Sequence, residues 1–298
     1  KMGELSFYEK DKLILKEKYR SFDYDSPHSL PLKEVAREYK VTSKPFALKV
    51  SFEGNDDEKI YGMGIYQMPY LNLKGTRVDL CQKNTQVSIP FYLSNLHYGF
   101  MWNNPSLGEA SFSKNGTEFI SFASTSLDYL VIGGDTYKEI IKRYTSLIGR
   151  APMIDTSLLG LWQSKLRYRT PKEVINVIDE YHKRDIHLSL IVIDYFHWTR
   201  QGEWEFDKKY WKNIDKLIEK ARKSQVKLMV SIWPTVDKKS KYFKKMDEEG
   251  LLIKPIKGTQ AYDFQGDCLI VDFTNPKSQK FVNKLVKRNY LDKGIDYL

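Results

Sequence analysis

The chain has 298 residues, enough for two sizeable cores, and lysine plus arginine exceed aspartate plus glutamate by 48 to 38. Its two cysteines, Cys81 and Cys268, stand far apart with no second ligand set nearby; this argues against a disulfide framework or zinc site and makes a reducing, cytoplasmic setting the expectation. No apolar stretch approaches the roughly 20 residues of a membrane helix, and the surplus lysines, such as Lys208, Lys209, Lys212, Lys216, Lys220 and Lys223, recur at helical spacing among acids, as on a solvated helix face rather than a nucleic-acid surface.

Residues 1–40 are charged and weakly patterned, and Lys1-Met-Gly-Glu-Leu5 does not read as a signal peptide. From Phe46 the pattern sharpens. Phe46, Leu48, Val50 and Phe52 occupy every second position, the mark of a strand with one buried face. Further short strands are expected near 57–62, 86–93, 97–102, 117–123 and 127–132, separated by turns such as Gly54-Asn55-Asp56 and Lys114-Asn115-Gly116. Their regular spacing predicts an antiparallel β-sandwich. Gly62-Met63-Gly64 is too short for a dinucleotide fingerprint and predicts a tight backbone turn. A helix through Tyr137, Ile140, Ile141 and Tyr144 connects this half, residues 1–150, to the next.

Over 151–298 the rhythm becomes strand, helix, strand. Leu158–Ser164 reads as a strand, and Thr170-Pro171-Lys172-Glu173 opens a helix with capping-box spacing and proline at its first position. Leu188-Ser-Leu-Ile-Val-Ile-Asp194 is an apolar strand ending in a carboxylate. A second helix through Ile214, Leu217, Ile218 and Ala221, a strand Lys227–Trp233 and a helix from Asn275-Pro276 follow. The chain ends inside Gly294-Ile-Asp-Tyr-Leu298, which reads as a fourth strand. Repeated βα units predict a parallel sheet, open or closed into a barrel. A stop inside a strand leaves unpaired edges, so the expectation is a fragment of a longer protein.

Parallel α/β proteins bind ligands at the carboxyl ends of their strands. Asp194 and Trp233 fall there, with Tyr195, Phe196, Trp198 and Trp204 in the loop after the second strand. A carboxylate among aromatic rings suits a carbohydrate: the acid accepts hydroxyl hydrogen bonds while rings cover the apolar sugar faces. The competing reading is that Asp194 caps the next turn. Asp207, Asp263, Asp267 and Asp272 read as surface acids, with Asp272 also placed to end a strand and cap a helix. His197 has no metal-spaced partner and reads as a support behind the site.

From about Glu58 onward the chain resembles glycoside hydrolase family 31, particularly its α-xylosidase-like members. The carrying segments are Ile60-Tyr-Gly-Met-Gly64, Ile89-Pro-Phe91, Gly99-Phe-Met-Trp-Asn103, Gly160-Leu-Trp162, Ile193-Asp-Tyr-Phe-His-Trp198, Ser231-Ile-Trp-Pro234, Asp272-Phe-Thr-Asn-Pro276 and Gly294-Ile-Asp-Tyr297. The resemblance implies a β-sandwich followed by α/β structure, here the first half of a (β/α)₈ barrel truncated in its fourth strand, with loops from both lining the pocket. It implies a retaining, exo-acting α-glycosidase for oligosaccharides, with no metal or organic cofactor, and with self-association common among members. In that chemistry one carboxylate attacks the anomeric carbon while a second protonates the leaving oxygen. The family's nucleophile and acid/base map beyond Leu298, so no catalytic residue is expected here and this chain alone is expected to be inactive. Asp194 matches the aspartate that holds hydroxyls of the terminal sugar; Tyr195, Phe196, Trp198 and Trp233 are the remaining substrate-binding candidates. Phe196 stands where family glucosidases commonly carry an acid, which leans toward xylose over glucose. The sandwich loop that often supplies an acid to the leaving-group side reads Cys81-Gln-Lys-Asn84, leaving that preference open. A non-catalytic carbohydrate-binding protein is the alternative.

Overall fold

A computed structural model describes residues 3–19, 34–41, 44–254 and 267–298, with the backbone alone at 262–263. The chain forms two compact units, Lys1–Ala151 and Pro152–Leu298.

The first unit is antiparallel. Strands β1 (Ser6–Glu9) and β2 (Lys12–Lys16) form a hairpin. Then come β3 (Arg37–Lys40), β4 (Phe46–Glu53), β5 (Ile60–Ile65), β6 (Arg77–Leu80), β7 (Val87–Ser94), β8 (Tyr98–Trp102), β9 (Gly108–Ser113), β10 (Gly116–Ser124) and β11 (Tyr129–Gly133). They make a five-stranded sheet in the order β3-β4-β10-β9-β6 and a four-stranded sheet in the order β11-β8-β7-β5. The alternation foreseen in β4 is real: Leu48, Val50 and Phe52 are buried together with Tyr92, Phe100, Phe112 and Phe119 from the other strands. Phe52 meets Phe100 edge-on at 5.2 Å, so the inner faces of the two sheets share one aromatic core.

The buried carboxylates of this unit are paired. Glu58, 4 % exposed, accepts from Ser94 Oγ at 2.6 Å and Tyr98 OH at 2.5 Å, and Lys74 Nζ lies 3.4 Å from its second oxygen. Glu17 is fully buried, held by a forked pair of bonds from Arg37 at 2.7 and 2.8 Å and by Tyr129 OH at 2.7 Å. These pairings satisfy the demand that a buried charge be matched.

Helix α1 (Tyr137–Ile148) starts at Thr136, whose side chain accepts from Glu139 N. It packs through Ile140 on Phe91 and Ile132, with Tyr144 stacked on Phe91 at 3.8 Å. Gly99 makes this approach possible, because a Cβ there would lie 2.8 Å from Ile140 and 2.9 Å from Phe91. Gly62-Met63-Gly64 is a bulge inside β5 rather than the expected turn: all three residues have positive φ, and the register with β7 slips between the glycines while Met63 stays buried.

The second unit is built from βα repeats. Strands β12 (Trp162–Lys165), β13 (Leu190–Ile193) and β14 (Lys227–Val230) pair in parallel, and Met229 bridges Tyr297 in the same sense. The first of these strands is shorter than expected. Asp155 accepts from Ser157 N at 2.9 Å and turns Thr156–Leu159 into a 3₁₀ turn, so the extended chain begins only at Trp162. Helix α2 (Pro171–Lys183) opens at Thr170, which accepts from Glu173 N at 3.4 Å. The return arm of the foreseen box reaches one residue further back: Glu173 accepts from Arg169 N at 3.1 Å.

Helix α3 (Ile214–Lys223) buries Ile214, Leu217, Ile218 and Ala221 and turns its lysines outward, with Lys220 paired to Asp179 and Lys223 to Glu219. A small antiparallel sheet follows, formed by β15 (Thr235–Asp237), β16 (Tyr262–Asp263) and β17 (Asp267–Ile270), with helix α4 (Phe243–Glu248) between β15 and β16. Neither the sheet nor α4 was anticipated. Helix α5 (Pro276–Asn289) is capped by Asn275, while Asp272 accepts from Thr274 N and Oγ1 in the turn just before it. Among the described residues no helix is long and apolar enough to cross a membrane.

Candidate functional site: the rim of the parallel strands

Strand β13 is apolar and largely buried on both faces: Leu190, Ile191 and Ile193 are wholly buried, the latter two against residues of α2 and α3, and Val192 is partly buried. Asp194 follows at once, at the carboxyl end, and is half-buried. Its Oδ1 accepts from Tyr195 N at 2.8 Å, so the turn-capping role and a rim position coexist. Trp233 leaves the end of the neighbouring β14. Its ring lies 4.8 Å from Tyr195 and 6.4 Å from Trp198. Phe196 lies 4.0 Å from Tyr195 and 6.1 Å from Trp198. The five residues singled out from sequence therefore stand together at one end of the sheet.

They divide by burial. Asp194, Phe196 and Trp233 are partly exposed, whereas Tyr195 and Trp198 are 7 % and 5 % exposed and lie beneath them. Tyr195 OH and Trp198 Nε1 are buried with no hydrogen-bond partner among the described residues. Each such group costs about 1–3 kcal/mol. Burial raises the Tyr195 phenol pKa, an effect the positive charge of Arg167 opposes. Phe196 takes a left-handed backbone, φ +60°, a conformation that costs a non-glycine residue roughly 1–2 kcal/mol.

Behind the rim the contacts are well made. Trp204, expected at the mouth, is instead 2 % exposed and part of the helix-packed core; its Nε1 donates to Trp233 O at 3.0 Å, and Asn289 Nδ2 donates to Trp204 O at 2.9 Å. Trp204 thus holds Trp233 from below. His197 is fully buried, with Nε2 2.8 Å from Tyr290 OH, and burial pushes its pKa down to about 3, so it is a neutral strut. Thr235 Oγ1 donates to Gln201 Oε1, which Cys268 Sγ also approaches at 3.5 Å, tying the loop after β13 to β15 and β17.

The remaining acids do structural work. Asp207 accepts from Lys209 N at 2.7 Å, and Asp267 pairs with Lys238 at 2.7 Å. The side chain of Asp263 lies outside the described residues. Among the described residues no cluster of three or more His, Cys, Asp or Glu side chains could hold a metal. A cavity of about 490 Å³ in the first unit, lined by Cys81, Gln82, Trp102 and Asn104 among others, involves none of the rim residues. Sequence reading missed Arg167, in the segment after β12: its guanidinium lies over the Phe196 ring, 5.2 Å from the centroid, and Nη1 donates to Phe196 O at 3.2 Å. No local pattern marks it, because its partner is on the next strand's loop.

Residues 151–298 match the model of the glycosyl hydrolases family 31 TIM-barrel domain, and residues 3–109 that of the glycosyl hydrolase 31 N-terminal galactose mutarotase-like domain. The chain belongs to glycoside hydrolase family 31. An uncharacterized family 31 glucosidase ORF2 of Pseudescherichia vulneris is 41 % identical over 98 % of this chain and 58 % of its own length. Alpha-xylosidase A of Aspergillus niger is 35 % identical over 89 % of this chain and 37 % of its own. A crystal structure of a GH31 alpha-xylosidase from a soil metagenome complexed with xylose superposes with a TM-score of 0.93 at 41 % identity, over 99 % of this chain and 45 % of that one. The chain thus spans only about a third to three fifths of the relatives it matches.

Proposed function

We propose that this chain is part of a retaining, exo-acting α-glycosidase that releases terminal α-xylose or α-glucose from oligosaccharides, and that it supplies one wall of the sugar pocket. The observation that carries the reading is Asp194 at the carboxyl end of β13, flanked by partly exposed Phe196 and Trp233. A carboxylate there can accept two sugar hydroxyls, and the rings can cover the apolar ring face. Tyr195 and Trp198, buried beneath, set the shape of that wall. Phe196 offers no hydrogen bond near the sugar's C6, which favours a pentose. Xylose at the terminal position is therefore the preferred substrate, in line with the alpha-xylosidases among the relatives.

The nucleophile and the acid/base are proposed to lie outside these 298 residues, as the family pattern implies. Proton transfer by a positioned acid alone is often worth about 10²–10⁴-fold, so the 298-residue chain should not turn over substrate. Incubating it with a chromogenic α-xyloside, beside the intact polypeptide that carries the reactive carboxylates, tests both parts. Release by the intact protein and none by this chain is expected. Turnover by this chain at an ordinary glycosidase rate would refute the placement of the catalytic acids, and an intact protein inert on α-xylosides and α-glucosides would refute the activity.

A further inference from the structure

Phe196 is held in an unusual way. Its backbone is left-handed, its ring is only half-buried, and the two aromatic rings packed with it, Tyr195 and Trp198, belong to its own loop. The anchor from outside this loop is Arg167, in the segment after β12, whose guanidinium covers the ring at 5.2 Å while Nη1 donates to the Phe196 carbonyl at 3.2 Å. One planar group thus fixes both the ring and the peptide that carries it. Arginine can do this because its flat, delocalised cation stacks on an aromatic face and still presents donors in its plane; a lysine ammonium cannot do both from one position.

We infer that Arg167 is a positioning residue for sugar selectivity: it holds the Phe196 ring where a hexose would carry its C6 hydroxymethyl group and a pentose carries only hydrogen. The inference rests on the glycosidase reading above, in which Phe196 walls the pocket. Freed from Arg167, the ring swings and the space it denies to a hexose opens. The loss falls on discrimination between sugars rather than on the chemical step.

The test compares kcat/KM for 4-nitrophenyl α-xyloside and α-glucoside in the intact protein, for wild type, Arg167→Ala, Arg167→Lys, Phe196→Ala and the Arg167→Ala/Phe196→Ala double variant. In parallel, 4-fluorophenylalanine at position 196 reports the ring by fluorine NMR without any sugar. Arg167→Ala should lower the xyloside-to-glucoside ratio about tenfold, and Arg167→Lys should do nearly the same despite keeping the charge. The double variant should be no less selective than Phe196→Ala alone, and the fluorine line should shift or broaden when Arg167 is lost. Equal losses on both substrates with the ratio unchanged would overturn the inference, as would additive effects in the double variant, which would mean that Arg167 touches the sugar itself. An unmoved fluorine line would refute the positioning role. A wild-type protein that cleaves neither glycoside would sink the proposed function and the selectivity role with it, while the fluorine line would still show separately whether Arg167 holds the ring.

Discussion

Two aromatic clusters in this molecule share a composition and differ in how they are finished. In the sandwich, Tyr92, Phe100, Trp102 and Phe119 stack across the core, and the tyrosine hydroxyls run into a closed chain from Tyr92 through Tyr98 to Glu58, with Ser94 and Lys74 completing it. Two polar atoms there, Trp102 Nε1 and Thr117 Oγ1, are buried with no hydrogen-bond partner among the described residues. At the rim of the parallel strands, Tyr195, Phe196, Trp198 and Trp233 cluster as tightly; two of their four side chains have buried polar atoms with no partner among the described residues, and one residue has a strained backbone. Burial alone therefore does not separate packing from function. Unmatched polar atoms and a left-handed non-glycine residue, Met63 in the sandwich and Phe196 at the rim, occur in both; what sets the rim apart is that they gather beside a partly exposed carboxylate at a strand end.

Removing one ring from each cluster sharpens the contrast. Phe119→Ala empties a fully buried site among Tyr92, Phe100, Trp102 and Phe112 and should cost about 3–5 kcal/mol, read as a lowered Tm or denaturant midpoint. A loss below about 1 kcal/mol would mean that the sandwich core is not the well-packed partner in this comparison.

The support behind the rim gives the next effect. His197 is neutral in the fold, with a pKa near 3 against an ordinary 6.5, because burial disfavours its charged form. Its folded pKa is depressed, so its contribution to stability is fully present above pH 6.5 and is lost as pH falls from 6.5 toward 3. The slope approaches about 1.4 kcal/mol per pH unit for one proton. Stability of wild type and His197→Gln measured between pH 7 and 4 should differ in slope by that proton. Parallel curves would show that His197 is protonated in the fold or solvated.

Trp233→Ala gives the smallest of the three. Its ring is half-buried and its backbone carbonyl, which holds Trp204, survives the substitution, so the Tm should move less than for Phe119→Ala. Sugar affinity in the intact protein should fall about tenfold, near the 1.4 kcal/mol that such a factor represents. A variant whose Tm falls as far as that of Phe119→Ala while it binds sugar with wild-type affinity would invert the comparison.

The two regions also differed in what their residues disclosed beforehand. Strand β4 was plain because Leu48, Val50 and Phe52 alternate with polar neighbours, and β13 because Leu190–Ile193 is apolar throughout and ends in Asp194. Strand β9 was hidden: its inward positions are Gly108, Ala110 and Phe112, and two of the three are too small to mark a period. Strand β6 has only Val78 and Leu80 between charges, and β15 only three residues. These elements exist because neighbours pair with them, which no local window contains. At the site, Asp194 and Trp233 were legible as a charge and a ring closing apolar strands. Trp204 misled because loop position says nothing of depth, and Arg167 was silent because its function depends on a ring 29 positions away.

The central claim is that Asp194 grips hydroxyls of the terminal sugar. Its most direct test is kcat/KM for an aryl α-xyloside with Asp194→Asn in the intact protein, a change that keeps the volume and removes the charge. Losing charge-assisted bonds to two hydroxyls at about 1.5–3 kcal/mol each should lower kcat/KM by at least a hundredfold while leaving the Tm within a few degrees of wild type. A variant with the wild-type constant would show that the carboxylate only closes its turn and that the sugar is held elsewhere.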